Sequence, residues 1–233
     1  MNHLCFFLGG SSPTIPYTRA YMQTRGVAIA DTPGEEVTHL LLPVPTKDCS
    51  IPTGLSRDVV IMGGNLAGID LLQDPRYLAQ NAAITAECAM QIAREHLPRV
   101  LDGIQVLVLG WGRIGKCLSA RLLQSGAAVT VWARKETDRA MAEGLGCRAA
   151  ADCDLTAGLL RYRLIFNTVP AMLLPADRQS YCRPDCVRID LASQPGMAGC
   201  DVIVARGLPG KMAPETAGQL IAATALRLAM RKE

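Results

Sequence analysis

The sequence predicts an α/β protein of two lobes, each built on a parallel sheet, linked by helices that cross between them. Three observations carry that reading. The 233 residues suffice for one large or two small domains at roughly 100 to 200 residues each. Short apolar runs alternate with amphipathic stretches of helical length and with glycine-rich exits, the pattern of strand, crossover helix and parallel strand. Gln105 to Leu109 (QVLVL) is apolar after its first residue, as a strand buried on both faces requires.

The first lobe is expected over residues 1–80. A β-type run, His3 to Leu8, breaks at Gly9-Gly10-Ser11-Ser12-Pro13 and precedes an amphipathic helix from Thr14 to Arg25. Val27 to Ala30 reads as a second strand, Val37 to Val44 as a third that stops at Pro43 and Pro45, and Val59 to Met62 as a fourth ending in Gly63-Gly64. A linker helix is expected within 81–100, where Ile84, Cys88, Met90, Ile92, Ala93 and Leu97 recur at helical spacing, with Thr85 and Glu87 near its start and Pro98 at its end.

The second lobe, residues 101–213, runs from the QVLVL strand through a glycine turn to a helix from Ile114 to Ser125 and a strand from Ala128 to Trp132. Strands Leu164 to Asn167, Val187 to Leu191 and Val202 to Ala205 follow, alternating with helical stretches at 136–145 and 171–182. That is the order of a doubly wound sheet. A closing helix, Thr216 to Met230, carries Arg227, Arg231 and Lys232 at its C-terminal end, where cations suit the dipole, and the segment 214–233 is expected to pack back on the first lobe.

Composition narrows the function classes. The balance of 24 Lys+Arg against 21 Asp+Glu leaves a formal +3, and aromatics are only 4%, so neither a basic stripe nor a stacking platform is present and nucleic acid is not an expected partner. Gly, Pro or a charge interrupts every apolar run before the ~18 residues of a membrane span, and the Leu4 to Leu8 run lacks the basic flank of a signal peptide. A cytoplasmic protein without membrane partners is the expectation. Nine cysteines at 5, 49, 88, 117, 147, 153, 182, 186 and 200 form no Cys-x-x-Cys and have no His beside a pair, so buried free thiols are expected rather than disulfides or a metal site.

Gly110-Trp111-Gly112-Arg113-Ile114-Gly115 matches G-x-G-x-x-G between a strand and a helix. The first glycine makes the tight turn, the second lets backbone approach a pyrophosphate, the third lets helix and strand pack closely, and the helix amides receive the anion. The second lobe is therefore read as a dinucleotide-binding Rossmann domain and the first as a Rossmann-like companion. An NAD site usually ends its second strand with a carboxylate for the ribose hydroxyls. Here the strand ends Val131-Trp132-Ala133-Arg134-Lys135, and two cations stand where a 2′-phosphate would be held, so NADP is favoured over NAD. Thr168, Val169 and Pro170 follow the next strand and belong to the same site; Asp190 ends the one after, where it either contacts ribose or caps a loop. The only histidines are His3, His39 and His96, so the second lobe lacks the histidine proton carrier of the 2-hydroxy acid dehydrogenases whose layout it shares.

Several segments together resemble the dipicolinate synthase family, in the first of that enzyme's two kinds of subunit. They are Leu41-Leu42-Pro43-Val44, Asn81 to Glu87, Asn167 to Pro170, Asp190 to Gly196, and Gly207 to Gly218 with its LPG, AP and TAG elements. The resemblance covers residues 37–229, with Met197 and Arg206 departing from the expected glycine and proline. It implies an NADP-dependent oxidoreductase of sporulation that forms pyridine-2,6-dicarboxylate from 4-hydroxy-tetrahydrodipicolinate by loss of water and hydride, with the flavoprotein-like second subunit of dipicolinate synthase as partner; a homo-oligomer is also expected. That chemistry needs anion sites for a small dicarboxylate, for which Gly207, Leu208, Pro209, Gly210 and Lys211 are the candidates beside Arg206. It also needs a proton carrier, for which Glu87 with Thr85 is the first candidate. Two alternatives stay open: a non-catalytic NADP-binding partner or sensor module, and another NADP oxidoreductase of this shape.

Overall fold

The apolar runs assemble into two parallel sheets. The computed structural model describes residues 4–47, 50–151 and 158–230. Contacts divide the chain into two units, residues 1–84 with 209–233, and residues 85–208. His3, Cys49, Cys153, Arg231 and Lys232 lie outside the described residues.

The first unit contains β1 (Cys5–Leu8), α1 (Ile15–Thr24), β2 (Ala28–Ala30), β3 (His39–Leu41), β4 (Val60–Gly63) and a short strand the sequence pattern does not show, β5 (Ile69–Asp70). The order β2-β1-β3-β4-β5, parallel throughout, is one of the two common doubly wound arrangements. α2 (Pro75–His96) begins before the expected 81–100 span and stops short of its end. The reason is Asp74-Pro75: the Asp74 carboxylate accepts the Tyr77 amide at 2.7 Å as an N-cap, and proline suits the first helical position. Thr85 and Glu87 therefore lie in mid-helix rather than at its start, and the division between the units falls inside α2.

In the second unit, β6 (Gln105–Leu109), α3 (Arg113–Gln124), β7 (Ala128–Trp132), α4 (Glu136–Gly144), β8 (Arg148–Ala150), β9 (Leu164–Asn167), α5 (Ala176–Gln179), β10 (Val187–Asp190) and β11 (Val202–Val204) form a parallel sheet ordered β11-β10-β9-β6-β7-β8. This is the dinucleotide-binding order, with its reversal between β6 and β9. β6 is almost wholly buried, as its apolar sequence requires. The helix expected at 171–182 shrinks to α5 because the Leu173 and Leu174 amides are taken by the Gly196 carbonyl, at 2.9 and 3.1 Å, and Pro175 then starts the short helix.

The Gly207 to Lys211 segment, the candidate anion site for the substrate carboxylates, is mostly helical: α6 spans Leu208–Met212, and Leu208 is buried. α7 (Pro214–Ala229) then lays Ile221, Ala222, Ala225 and Leu226 into the core formed by Phe6, Met22, Leu41 and Met62 of the first unit. Arg227 on α7 donates to the buried Asp74 carboxylate at 2.7 Å. Among the described residues no helix is long and apolar enough to cross a membrane.

Candidate dinucleotide-binding site

The three glycines after β6 do three separate jobs. Gly110 sits at φ +105, and a Cβ there would fall 2.5 Å from Thr168 Oγ1. A Cβ on Gly115, in the first turn of α3, would fall 2.2 Å from the Gly110 carbonyl oxygen, so helix and strand meet only because it is absent. Gly112 has open space where its Cβ would be and caps α3 without a side-chain bond. The Lys116 amide bonds to the Gly112 carbonyl at 3.0 Å; the first-turn amides of Arg113, Ile114 and Gly115 precede it and are left for an anion.

Thr168 joins this turn to β9, its amide and hydroxyl both donating to the Leu109 carbonyl at 2.9 Å. At the topological reversal lies a hollow of about 290 Å³ lined by Gly110, Trp111, Gly112, Trp132, Ala133, Arg134, Lys135, Asp138, Thr168, Val169 and Pro170. It brings together most of the expected cofactor residues. Arg113 is exposed, Ile114 half-buried and Gly115 buried in the adjoining helix start.

The far end of the hollow is charged. Ala133 is buried, whereas Arg134 and Lys135 are exposed and make no ion pair among the described residues. Two residues not expected from the sequence shape this corner. Arg139 Nη1 donates to the Ala133 and Arg134 carbonyls at 2.8 and 2.7 Å, fixing the turn that presents the two cations. Asp138, in the acidic first turn of α4, lines the same hollow. The acidic start of the helix is the available signal for Asp138; nothing in the linear pattern marks Arg139.

Asp190 is 1% exposed and spends both oxygens inside the protein. Oδ1 accepts from Asn167 Nδ2 at 2.8 Å and the Ala192 amide at 3.1 Å; Oδ2 accepts from the Gly196 amide at 2.8 Å and the Met197 amide at 3.4 Å. Of its two expected roles the geometry is that of a loop cap. Asn167 completes the network, bonding the Val169 amide and carbonyl at 3.0 Å each, and a Cβ on Gly196 would fall 2.0 Å from its Nδ2. The loops after β9 and β10 are thereby tied to each other, and the first of them lines the hollow. Arg206 Nε donates to the Ala192 carbonyl at 2.9 Å, tethering the same loop, while Met197 is buried in the apolar cluster below it.

Glu87 is exposed and pairs with Arg121 Nε at 3.0 Å; Arg121 also reaches the Cys117 carbonyl, at 3.3 Å. From Arg113 to Arg121 is about two helical turns, roughly 12 Å of rise, so the pair stands well down α3 from the phosphate-receiving amides. Thr85, just before it on α2, is buried. Gly207 adopts φ +66 ahead of α6, and Lys211 is exposed on it.

These residues fit a dinucleotide. The first and third glycines let strand, turn and helix meet without a clash, the second leaves open space beside the hollow where its Cβ would stand, and the first-turn amides of α3 have no side-chain cap. Among the described residues no group of His, Cys, Asp or Glu could hold a metal ion.

The two sheets together have the Rossmann-like fold seen in dehydrogenases, and the hollow after β6 is the candidate dinucleotide site in it. D-lactate dehydrogenase from Escherichia coli shares it at a TM-score of 0.58 and 13% identity, over 97% of this chain and 95% of that one. More specifically, the chain resembles the first (A) subunit of dipicolinate synthase. It is 33% identical to that protein from Bacillus subtilis (strain 168) over 150 residues, 61% of this chain and half the length of the relative. The crystal structure of the same dipicolinate synthase component from Bacillus halodurans superimposes with a TM-score of 0.83 at 21% identity, covering 100% of this chain and 99% of that one. No family model matches the chain.

Proposed function

We propose that this protein is an NADP-dependent oxidoreductase of the dipicolinate synthase type, forming pyridine-2,6-dicarboxylate from 4-hydroxy-tetrahydrodipicolinate. The observation that carries the reading is the 33% identity to the first subunit of dipicolinate synthase in a chain whose second unit has a complete glycine cradle. Bound there, NADP would supply the hydride acceptor. The chain's own part begins with the α3 amides, which receive the pyrophosphate, and Arg134 with Lys135, which favour a 2′-phosphate. Thr168 ties the loop after β9 to the glycine turn, and the Asp190 network ties the loops after β9 and β10 to each other. The two substrate carboxylates require cations or helix amides, for which Lys211 and the Gly207–Gly210 segment are the candidates.

Loss of water, then of a hydride and a proton, from a ring that already holds a C=N bond makes an aromatic pyridine, so the protein needs chiefly to orient the ring and help two protons leave, one with the hydroxyl as water and one to solvent. The resemblance also supports a cytoplasmic role in sporulation with a flavoprotein-like second subunit and a homo-oligomeric assembly. Incubation of the chain, alone and with that partner, with hydroxy-tetrahydrodipicolinate and NADP tests the reading. Growth of pyridine absorbance together with NADPH is the expected result. NADP binding without turnover in the partnered protein would instead favour the non-catalytic module.

A further inference from the structure

The N-terminal edge of the second unit's sheet gathers cations that neither its core nor the dinucleotide hollow uses. Arg99 lies in the loop before β6, Arg161 and Arg163 stand just before β9, and the three line one hollow of about 440 Å³ together with Asp102 and Gln105. That volume falls within the roughly 300–1,000 Å³ of small-molecule sites. β6 starts at Gln105, in the wall of this hollow, and ends at Leu109, ahead of the Gly110 turn. Its five residues, at roughly 3.3 Å each, hold the two hollows about 16 Å apart at opposite ends of the sheet.

Among the described residues the guanidiniums of Arg99 and Arg161, both exposed, have no ion pair or hydrogen bond. Arg161 is nonetheless placed: its Cζ lies 5.9 Å from the centroid of the Tyr162 ring, and its Nη2 lies where a Cβ on Gly158 would come within 3.1 Å. Arg163 pairs with Asp185, but Arg183 binds both oxygens of that carboxylate as well, at 2.8 and 3.3 Å. The Arg183 hydrogen bond and the charges of Arg163 and Arg183 hold the Asp185 carboxyl down to about 2, so its charge is spent on these two arginines. Around the hollow, three guanidiniums against the Asp102 carboxylate leave two positive charges in excess. Arg148 adds to the field, reaching Gln105 Oε1 at 3.4 Å and sharing an adjoining hollow of about 280 Å³ with Arg161. A concavity lined by one sign of charge concentrates counter-ions, and guanidinium forks match the paired oxygens of phosphate and carboxylate. We propose that this arginine-lined hollow binds a small polyanion, a compound with phosphate or carboxylate groups carrying at least two negative charges, at a site separate from that of the cofactor.

The test titrates the full-length protein by calorimetry with pyrophosphate and, separately, with citrate, each against sodium chloride of equal ionic strength. The protein is first saturated with NADPH, so that the amides of α3 and the Arg134 corner are not open to the probes. Saturable binding of at least one probe is expected, weakened by added salt. Arg99→Ala and Arg161→Ala should each lower that affinity about tenfold, as loss of a charged hydrogen-bond donor would, while the NADPH Kd stays at the wild-type value. Both side chains are exposed, and the unchanged NADPH titration also shows that the variants fold. A preference for pyrophosphate identifies a phosphate-bearing ligand, and a preference for citrate a polycarboxylate. Binding of neither probe to the wild-type protein overturns the proposal, and so does binding that both variants leave intact.

Discussion

Replacing Arg134 by Ala isolates the contribution that should separate NADP from NAD. At 4 Å, two unit charges interact by about 1 kcal/mol in bulk water and about 4 kcal/mol at an effective dielectric of 20. Arg134 is exposed, which places it toward the lower limit, while a phosphate monoester carries about −1.5 to −2 charges. After the entropy of ordering a long side chain, a net ~1.4 kcal/mol remains, or about tenfold in affinity. The chain's two tryptophans, Trp111 and Trp132, both line the hollow, so quenching of intrinsic fluorescence by NADPH or NADH reports this site with no other indole in the background. Wild-type protein should bind NADPH at least about tenfold more tightly than NADH. Arg134→Ala should raise the NADPH Kd about tenfold and change that of NADH less than about twofold, and added salt should narrow the wild-type gap as screening lengths shorten. Equal wild-type affinities, or equal loss of both cofactors in the variant, would refute the reasoning. Asp138 would then be the next residue to change, because its carboxylate lines the same corner and could accept from ribose hydroxyls.

The glycine cradle predicts opposite behaviour for two neighbouring substitutions. Gly112→Ala should leave Tm nearly unchanged, since its backbone (φ −76, ψ −171) and surroundings accept a Cβ, yet weaken NADPH more than tenfold in the same fluorescence titration; Gly115→Ala should cost about 2–4 kcal/mol in denaturant unfolding. Asp190→Asn puts an amide among four donors and should cost about 2–3 kcal/mol, also read by denaturant; stability equal to wild type would dismiss the loop-capping role. Glu87→Gln loses an exposed ion pair worth under ~1 kcal/mol and should slow turnover while leaving the NADPH Kd unchanged; normal turnover would dismiss Glu87 as proton carrier.

Legibility in the sequence follows locality. QVLVL, the glycine hexapeptide and the AVTVW strand announce themselves because each is fixed by its own residues: burial on both faces, a turn only glycine can make, an uncapped helix start. Sequence patterns mislead where tertiary partners decide. The 171–182 stretch has helical composition, but the Gly196 carbonyl claims two of its amides. Asp74-Pro75 is a readable helix start that the apolar periodicity further on overshadows, and with it Thr85 and Glu87 move from a helix end to its middle. Arg139, which holds the cofactor corner through two backbone carbonyls, is invisible because its partners are main-chain atoms.

The elements that make the resemblance most specific have a structural reason within one unit. In the TAG element, a Cβ on Gly218 would fall 2.6 Å from the Thr14 carbonyl oxygen and 2.8 Å from Tyr17 Cβ, and Thr18 Oγ1 donates to the Gly218 carbonyl at 3.1 Å. Backbone contact between α1 and α7 is therefore what that glycine permits, and α7 in turn supplies Ile221, Ala222, Ala225 and Leu226 to the first core. A motif of this kind is retained by packing whatever the chemistry, so it argues for shared architecture more strongly than for shared substrate. The cofactor residues are different in kind: a Cβ on Gly112 would meet nothing, and Arg134 and Lys135 make no ion pair among the described residues, so no stability argument accounts for them. Residues that the folded unit does not need are the ones that speak for a ligand, and those of the cofactor converge on one hollow.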